Sequence, residues 1–350
     1  MEHDREQLRA ILSGMIEGVI AIDDEQRVLF ANDRAGMLLE FDPTAAVGNL
    51  LWDVVRWQAF QDLVRKGLTA KGPHREELDR NGTGAKTLAV YVSRFPGADV
   101  PGAVVVVHDT TELRQLERMR QDFVANVSHE LKTPLAVIKS NLEALLDGAD
   151  QEPEMRREFL EKASHESDRL EALIQDLLSL ARIESGQMGL EFIAIPLNKA
   201  IDDCLERHAA RAEVKTLALV EKPPKDAPAN VAAWADPDAL RQVMDNLVDN
   251  AIKYTPNGGR ITIRWSATEK TVSFEVEDTG VGIAASDLPR VFERFYRADK
   301  ARSRAVGGTG LGLAIVKHLV QVMKGQVRVK STLDKGTTFK VTLPRASTEG

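Results

Sequence analysis

The spacing of apolar residues changes twice along this chain, which divides it into three stretches. Up to about residue 110 the runs are short and mostly alternating. Leu8–Met15 predicts a helix, and Gly18-Val-Ile-Ala-Ile-Asp23 with Arg27-Val-Leu-Phe30 predicts a hairpin around an acidic turn. Asn32–Glu40 predicts a short helix, and residues 87–94 and 103–109 predict two strands. From Met119 the period becomes helical. Met119, Phe123, Val127, Leu131, Leu135, Ile138, Leu142 and Leu145 follow one another in steps of three or four, the seam of a coiled coil or bundle. That helix, from about 110 to 147, would be roughly 57 Å long.

Gly148-Ala-Asp-Gln-Glu-Pro153 breaks the helix, and Pro153 suits the first turn of the next one. The second helix has its own seam at Leu160, Ala163, Ser167, Leu170, Ile174, Leu177 and Ala181. Two such helices cannot bury both seams alone, so self-association into a four-helix bundle is expected. Beyond about 192 the pattern is mixed. A helix at 196–213, strands near 216–221 and 231–235 and a helix at 237–254 come first. A hairpin near 260–279, a long loop, a helix at 310–323 and two closing strands follow, as in an α/β two-layer sandwich. The expectation is a multidomain α+β chain divided at 1–109, 110–190 and 191–350.

Composition narrows the function classes. The chain has 350 residues, 43% hydrophobic and 28% charged, with a net charge of −7, which argues against a nucleic-acid partner. A single cysteine, Cys204, excludes a disulfide framework. No apolar run approaches the ~18 residues of a membrane span, so no transmembrane helix or signal peptide is expected. The expected location is cytoplasmic, with any membrane anchor lying upstream of this sequence.

The chemistry gathers first around His129. It lies about 200° round the helix from Val127, away from the seam. Glu130 beside it can accept the Nδ1 proton and leave Nε2 nucleophilic. Thr133 shares the face of His129 one turn on, and Pro134 should kink the helix just past it. The fourth residue after His129 is Thr133 and not a second histidine, so this is no zinc helix.

The stretch Phe123-Val-Ala-Asn-Val-Ser-His-Glu-Leu-Lys-Thr-Pro-Leu135 resembles the H-box of sensor histidine kinases of two-component systems. The resemblance implies that His129 is autophosphorylated and that Glu130 assists as acid/base. It also implies that Thr133 positions water for dephosphorylating a partner response regulator, and that the protein is a homodimer. The first unit, ending in His108-Asp-Thr-Thr-Glu-Leu113, resembles a PAS domain leading into a signalling helix, with Asp109 and Glu112 as a capping box. His74 and His108 are its only candidate ligands for a cofactor, and none is expected.

A nucleotide site has to be argued without a Walker A sequence or Ser/Thr-kinase loops, since neither occurs. The helix 237–254 sets Leu240, Val243, Leu247, Ala251 and Tyr254 on one seam and Asn246, Asn250 and Lys253 beside it. Amide oxygens suit a hard cation, and Lys253 supplies a point charge. Val272, Phe274 and Val276 alternate with polar residues, so Asp278 keeps the parity of the apolar side. A carboxylate facing a core must find a donor, and the exocyclic amine of adenine fits, with Gly280 and Gly282 leaving room for a flat ring. Arg294, Arg297, Lys300, Arg302 and Arg304 crowd the loop before Gly307-Gly-Thr-Gly-Leu-Gly-Leu313, where glycines let backbone N–H groups approach phosphate.

Asn246/Asn250, Asp278–Gly282, Phe292–Arg297, Gly308–Gly312 and Gly336-Thr-Thr338 together resemble the N, G1, F, G2 and G3 boxes of the histidine-kinase ATP-binding domain. The resemblance makes Asn250 the Mg2+-linked residue, Asp278 the adenine anchor, and Arg297 and Lys253 phosphate contacts, with 287–312 as the ATP lid. Tyr254, Gly280, Gly282, Gly308, Gly310, Leu311, Gly312 and Thr337 complete the ATP set. The layout is similar to the cytoplasmic part of phosphate-sensing, PhoR-type sensor kinases. Related gyrase- and Hsp90-type ATPases activate water with a glutamate where this chain has Asn246, so water attack should be slow and the γ-phosphoryl group kept for His129. Transfer then requires the ATP-binding domain to swing about a hinge at 186–196. Phosphotransfer to the receiver domain of a response regulator is the expected function. A gyrase/Hsp90-type ATP-driven conformational protein and a non-catalytic scaffold are the alternatives.

Overall fold

The structure, a computed structural model, describes residues 12–70, 72–80, 85–95, 102–186, 189–222, 231–298 and 308–346. Half of the expected helix Leu8–Met15 lies outside the described residues, as do Lys300, Arg302, Arg304 and Gly307 of the expected phosphate loop. The chain forms two compact units, Met1–Asp122 and Phe123–Gly350. Among the described residues no helix is long and apolar enough to cross a membrane.

The first unit is an antiparallel sheet with short helices packed against it. Its strands are β1 (Gly18–Asp23), β2 (Val28–Ala31), β3 (His74–Arg80), β4 (Lys86–Phe95) and β5 (Gly102–Asp109), in the order β2-β1-β5-β4-β3. Between β2 and β3 run α1 (Asp33–Leu39), α2 (Pro43–Ala46), α3 (Leu51–Val54) and α4 (Gln58–Thr69). Asn32 explains where α1 begins. Its Oδ1 accepts from Ala35 N and Val19 N at 2.9 Å each, so one buried amide caps the helix and ties it to β1. Ile20, Ile22, Leu51, Phe60, Leu63, Leu88 and Val90 fill the core.

Strand β3 had no counterpart in the sequence reading. It is a sheet edge, paired only with β4, so His74-Arg-Glu-Glu-Leu-Asp-Arg80 can be almost wholly polar and show no apolar alternation. The capping box at Asp109 takes another form. Asp109 ends β5, and its Oδ1 accepts from both N (3.1 Å) and Oγ1 (2.5 Å) of Thr111, while Thr110 supplies the first carbonyl of the helix to Arg114 N. These bonds hold the Asp109 carboxyl below its ordinary range, against the opposing effect of its burial. Arg114 then binds Glu77 of β3 through two hydrogen bonds, at 2.6 and 2.7 Å, clamping the first turn of the helix to the sheet edge.

That helix is α5 (Thr111–Leu146), continuous through Pro134. Gly148, at φ 112°, opens a short 3-10 turn, and α6 (Pro153–Glu184) follows with Pro153 in its first turn. The sandwich contains β6 (Ile193–Pro196), α7 (Leu197–Val214), β7 (Ala218–Lys222), β8 (Ala232–Ala235), α8 (Pro237–Tyr254), β9 (Arg260–Ala267), β10 (Thr271–Asp278), α9 (Gly312–Val322), β11 (Gln326–Thr332) and β12 (Gly336–Pro344). The main sheet runs β11-β12-β10-β9-β7, with β7 parallel to β9 and the other pairs antiparallel. Leu240, Val243, Leu247 and Ala251 of α8 are buried in the layer between sheet and helices, as their spacing predicts; Tyr254 is half-buried.

Two features of the second unit differ from the sequence reading. First, the helical hairpin and the sandwich share one core. Leu173, Leu180 and Ile183 of α6 are buried in the same cluster as Leu247 and Ile315, with Phe123 and Leu131 of α5 packed against it. The expected seam therefore divides. Phe123 and Leu131 turn towards the sandwich, while Met119, Leu135, Leu142, Leu160 and Ile174 remain exposed in the single chain. Second, little of the expected hinge at 186–196 is free. Glu191 N donates to Asp236 Oδ2 at 2.9 Å, Leu190 packs on the core, and β6 pairs with β8, so the segment is tied to the sandwich from Leu190 on.

Candidate functional site

His129 stands exposed on α5. Thr133, one turn on, donates its hydroxyl to the His129 carbonyl at 3.1 Å. Pro134 lacks the N–H that would serve the Glu130 carbonyl, yet the helix persists, with Pro134 buried. From its place in the sequence, Glu130 is expected to accept the Nδ1 proton. In the structure its carboxylate is occupied differently: Oε2 accepts from Arg297 Nη2 at 2.9 Å and pairs with Arg169 at 3.5 Å. The residue beside the candidate phosphoacceptor thus binds the loop expected to form the lid.

The candidate nucleotide surface is built from the ends of β10, β12 and α8 and from the segment leading into α9. Asp278 ends β10, opposite Ile261, and is 7% exposed. Its Oδ1 accepts from Gly280 N at 2.8 Å and Thr337 N at 3.2 Å. Burial pushes this carboxyl up, and the two backbone N–H groups oppose the shift. Both bonds fall on one oxygen, which fixes the carboxylate and turns Oδ2 to further donors. Thr337 is itself buried, with Oγ1 2.9 Å from Ser331 Oγ.

Gly282 and Gly336 have a local steric reason to be glycine. Gly282 has φ +67°, and a Cβ there would lie 2.0 Å from the Thr332 carbonyl oxygen. Gly336 has φ +111°, and a Cβ would lie 1.9 Å from the Asp278 carbonyl oxygen. Neither position has space for a side chain, because the end of β11 closes on Gly282 and the end of β10 on Gly336, backbone against backbone.

On α8, Asn246, Asn250, Lys253 and Tyr254 are all half-buried. Asn246 Nδ2 donates to Gln242 O at 2.9 Å, which turns its Oδ1 towards the start of α9; a Cβ on Gly312 would come within 2.7 Å of that oxygen. Leu311 is fully buried, and Gly310, at φ +76°, accepts from Phe295 N through its carbonyl at 2.9 Å. Gly308 accepts from Arg297. The structure therefore brings Asn246, Gly310, Leu311 and Gly312 together at the junction of α8 and α9. It draws Arg297 to Glu130 and Gly308.

Several contacts were not anticipated. Thr309 Oγ1 donates to Asp176 Oδ2 on α6 at 2.7 Å. Arg294 pairs with Glu184, and its guanidinium lies 5.3 Å from the centroid of the Phe123 ring, which is itself 5.8 Å from that of Phe295. Burial raises the Asp176 carboxyl, opposed by the Thr309 hydroxyl and the Lys253 charge. Asp176 and Glu184 are eight residues apart on α6 and Phe123 lies on α5; only contact between the hairpin and the lid loop brings them into use.

Comparison with known proteins agrees with these features. Residues 119–186 match the His Kinase A (phospho-acceptor) domain, 235–347 the histidine kinase-, DNA gyrase B- and HSP90-like ATPase, and 6–110 the PAS fold. The chain is 36% identical over 348 residues to the sensor-like histidine kinase SenX3 of Mycolicibacterium smegmatis, covering 97% of this chain and 86% of that protein. It is 33% identical over 350 residues to the sensor histidine kinase WalK of Bacillus subtilis, covering 98% of this chain and 56% of that protein. It therefore spans little more than half the length of several curated relatives it matches. Among solved structures, that of histidine kinase ThkA in complex with response regulator protein TrrA aligns at TM-score 0.52 and 20% identity, covering 96% of this chain and 98% of that one, a likeness of fold.

Proposed function

The chain belongs to the sensor histidine kinases, and from that premise we propose that it phosphorylates His129 from ATP and passes the phosphoryl group to an aspartate on the receiver domain of a response regulator. Nε2 of His129 attacks the γ-phosphorus, the bond to the β–γ bridging oxygen breaks, and ADP leaves. Glu130 takes the Nδ1 proton during the attack. Asp278 offers Oδ2 to the exocyclic amine of adenine, and Lys253 and Arg297 serve the phosphates. Asn250, with Asn246 beside it, presents amide oxygen of the kind a hard cation accepts; Mg2+ bound there would neutralise phosphate charge. Thr133 orients water for the reverse reaction on the regulator.

The observation that carries this reading is the Arg297–Glu130 bond. It joins a loop of the nucleotide lobe to the residue next to an exposed histidine within one compact unit. It also makes this arrangement a resting one, because Arg297 and Glu130 must part before either can do its work. The apolar residues left exposed on α5 and α6, Leu135, Leu142, Leu160 and Ile174 among them, support a homodimer through a four-helix bundle.

Incubation with γ-labelled ATP and Mg2+ tests the proposal. An acid-labile label is expected on the parent chain and none on His129→Ala. Label persisting on that variant would overturn the assignment of the acceptor.

A further inference from the structure

A second constellation lies on the stripe of α8 next to the nucleotide stripe, where that helix packs against α7. Cys204 and His208 occupy one face of α7, four residues apart. Asp245 and Asp249 occupy the facing side of α8, also four apart, each one residue before an asparagine of the nucleotide stripe. Cys204 is fully buried and His208 is 5% exposed, while Asp245 retains access to solvent. Cys204 Sγ lies 3.8 Å from His208 Nδ1 and 3.6 Å from Asp245 Oδ1, and those two atoms are 3.9 Å apart. We propose that Cys204, His208 and Asp245 form a binding site for a divalent transition metal of the zinc class, with Asp249 orienting the histidine.

The geometry carries this. A point equidistant from the three ligand atoms lies about 2.2 Å from each, within the range of zinc's bonds to sulfur, nitrogen and oxygen. The spacing of the three atoms therefore suits one shared cation. His208 Nε2 lies 3.2 Å from Asp249 Oδ1, the carboxylate–histidine arrangement that leaves the other ring nitrogen for a metal. Nδ1 now bonds the Cys204 carbonyl at 2.9 Å and would exchange that contact for the cation; the carbonyl keeps its helical N–H partner. Arg207 binds Asp245 at 2.7 Å, and Arg211 binds Asp249. Both guanidinium groups balance carboxylate charge before a cation arrives, and Arg207, bound to Asp245 Oδ1 through two nitrogens, would share that oxygen with the cation or yield it.

Binding of a cation would displace the Cys204 thiol proton and the Nδ1 proton of His208. A thiolate, an imidazole and a carboxylate make a borderline-soft set, which selects zinc or cobalt over magnesium. The site would staple α7 to α8 immediately beside Asn246 and Asn250. It is independent of the kinase reading.

Cobalt(II) titration of the full chain, freed of metal beforehand, tests it. Cys204 is the chain's one cysteine, so a sulfur-to-cobalt charge-transfer band reports this site alone. The band should saturate at one cobalt per chain, disappear when zinc is added and survive excess magnesium. Cys204→Ser should abolish it. His208→Gln and Asp245→Asn should each weaken cobalt binding at least about tenfold, and Asp249→Asn about 10- to 100-fold. Absence of the band, its displacement by magnesium, or unchanged affinity in both His208→Gln and Asp245→Asn would overturn the proposal. Should Cys204→Ser fail to fold, the unaltered chain and the partly exposed Asp245 variant still decide the matter.

Discussion

Arg297 and Glu130, 167 residues apart in sequence, are joined by a 2.9 Å hydrogen bond, and Arg297 is the more buried of the two. A guanidinium expected at phosphate and a carboxylate expected at an imidazole each satisfy the other. On the roles proposed for the two residues, their separation would precede chemistry.

Glu130→Gln separates its two roles. The amide can still accept from Arg297, so docking should survive, but it cannot take a proton. Labelling of His129 should slow by about 10²–10⁴-fold with ATP affinity unchanged, read by single-turnover labelling beside equilibrium nucleotide binding. Loss of nucleotide affinity would place Glu130 in binding instead.

Asp176 gives a pH prediction with a defined sign. Burial raises its carboxyl, so the folded state holds that proton more tightly than the unfolded chain. Its contribution to stability is complete below the ordinary carboxylate value and declines as pH rises through the raised one. Asp176→Asn, which still accepts from Thr309, should melt higher than the parent at neutral pH, by about 2–4 °C for each kcal/mol gained. The gap should narrow as pH falls towards 4. Thermal scans across that range check it, and a gap that widens on acidification would refute the assignment.

The period-two pattern of β10 made the inward carboxylate of Asp278 legible, and the three-four spacing of α8 separated its buried seam from the asparagine stripe. Those features are written in one element each. The Thr309–Asp176 and Arg297–Glu130 contacts are not, because they join polar faces 133 and 167 residues apart and polar surface carries no periodic signature of its partner. Strand β6 was missed for a related reason. Ile193–Pro196 has only four residues, reads as linker, and becomes a strand by pairing with β8. The α5 and α6 seams gave no sign of the packing between hairpin and sandwich, because Leu173, Leu180 and Ile183 lie on a flank that the sandwich covers.

Asp278→Asn should preserve the fold, since the amide oxygen can take over the bonds from Gly280 and Thr337. Its NH2 group would face the donor that Oδ2 now awaits. ATP affinity should fall about 10- to 100-fold, measured by calorimetric titration. Unchanged affinity would remove adenine from this position.

Thr133→Ala should alter stability by less than about 0.5 kcal/mol, because the hydroxyl is exposed and the backbone bond to the His129 carbonyl remains. Autophosphorylation should continue, while loss of phosphate from a labelled regulator should slow. Equal decline of both rates would end that division of labour.

The pinning of Asp278 bears on which purine can enter. With Oδ1 tied to two backbone N–H groups, the carboxylate cannot rotate to suit its guest. Guanine carries an oxygen where adenine carries its amine, and that oxygen would meet the lone pairs of Oδ2 with nothing to share between them. Discrimination against GTP would then come from repulsion by a fixed acceptor, and would hold even where GTP is abundant.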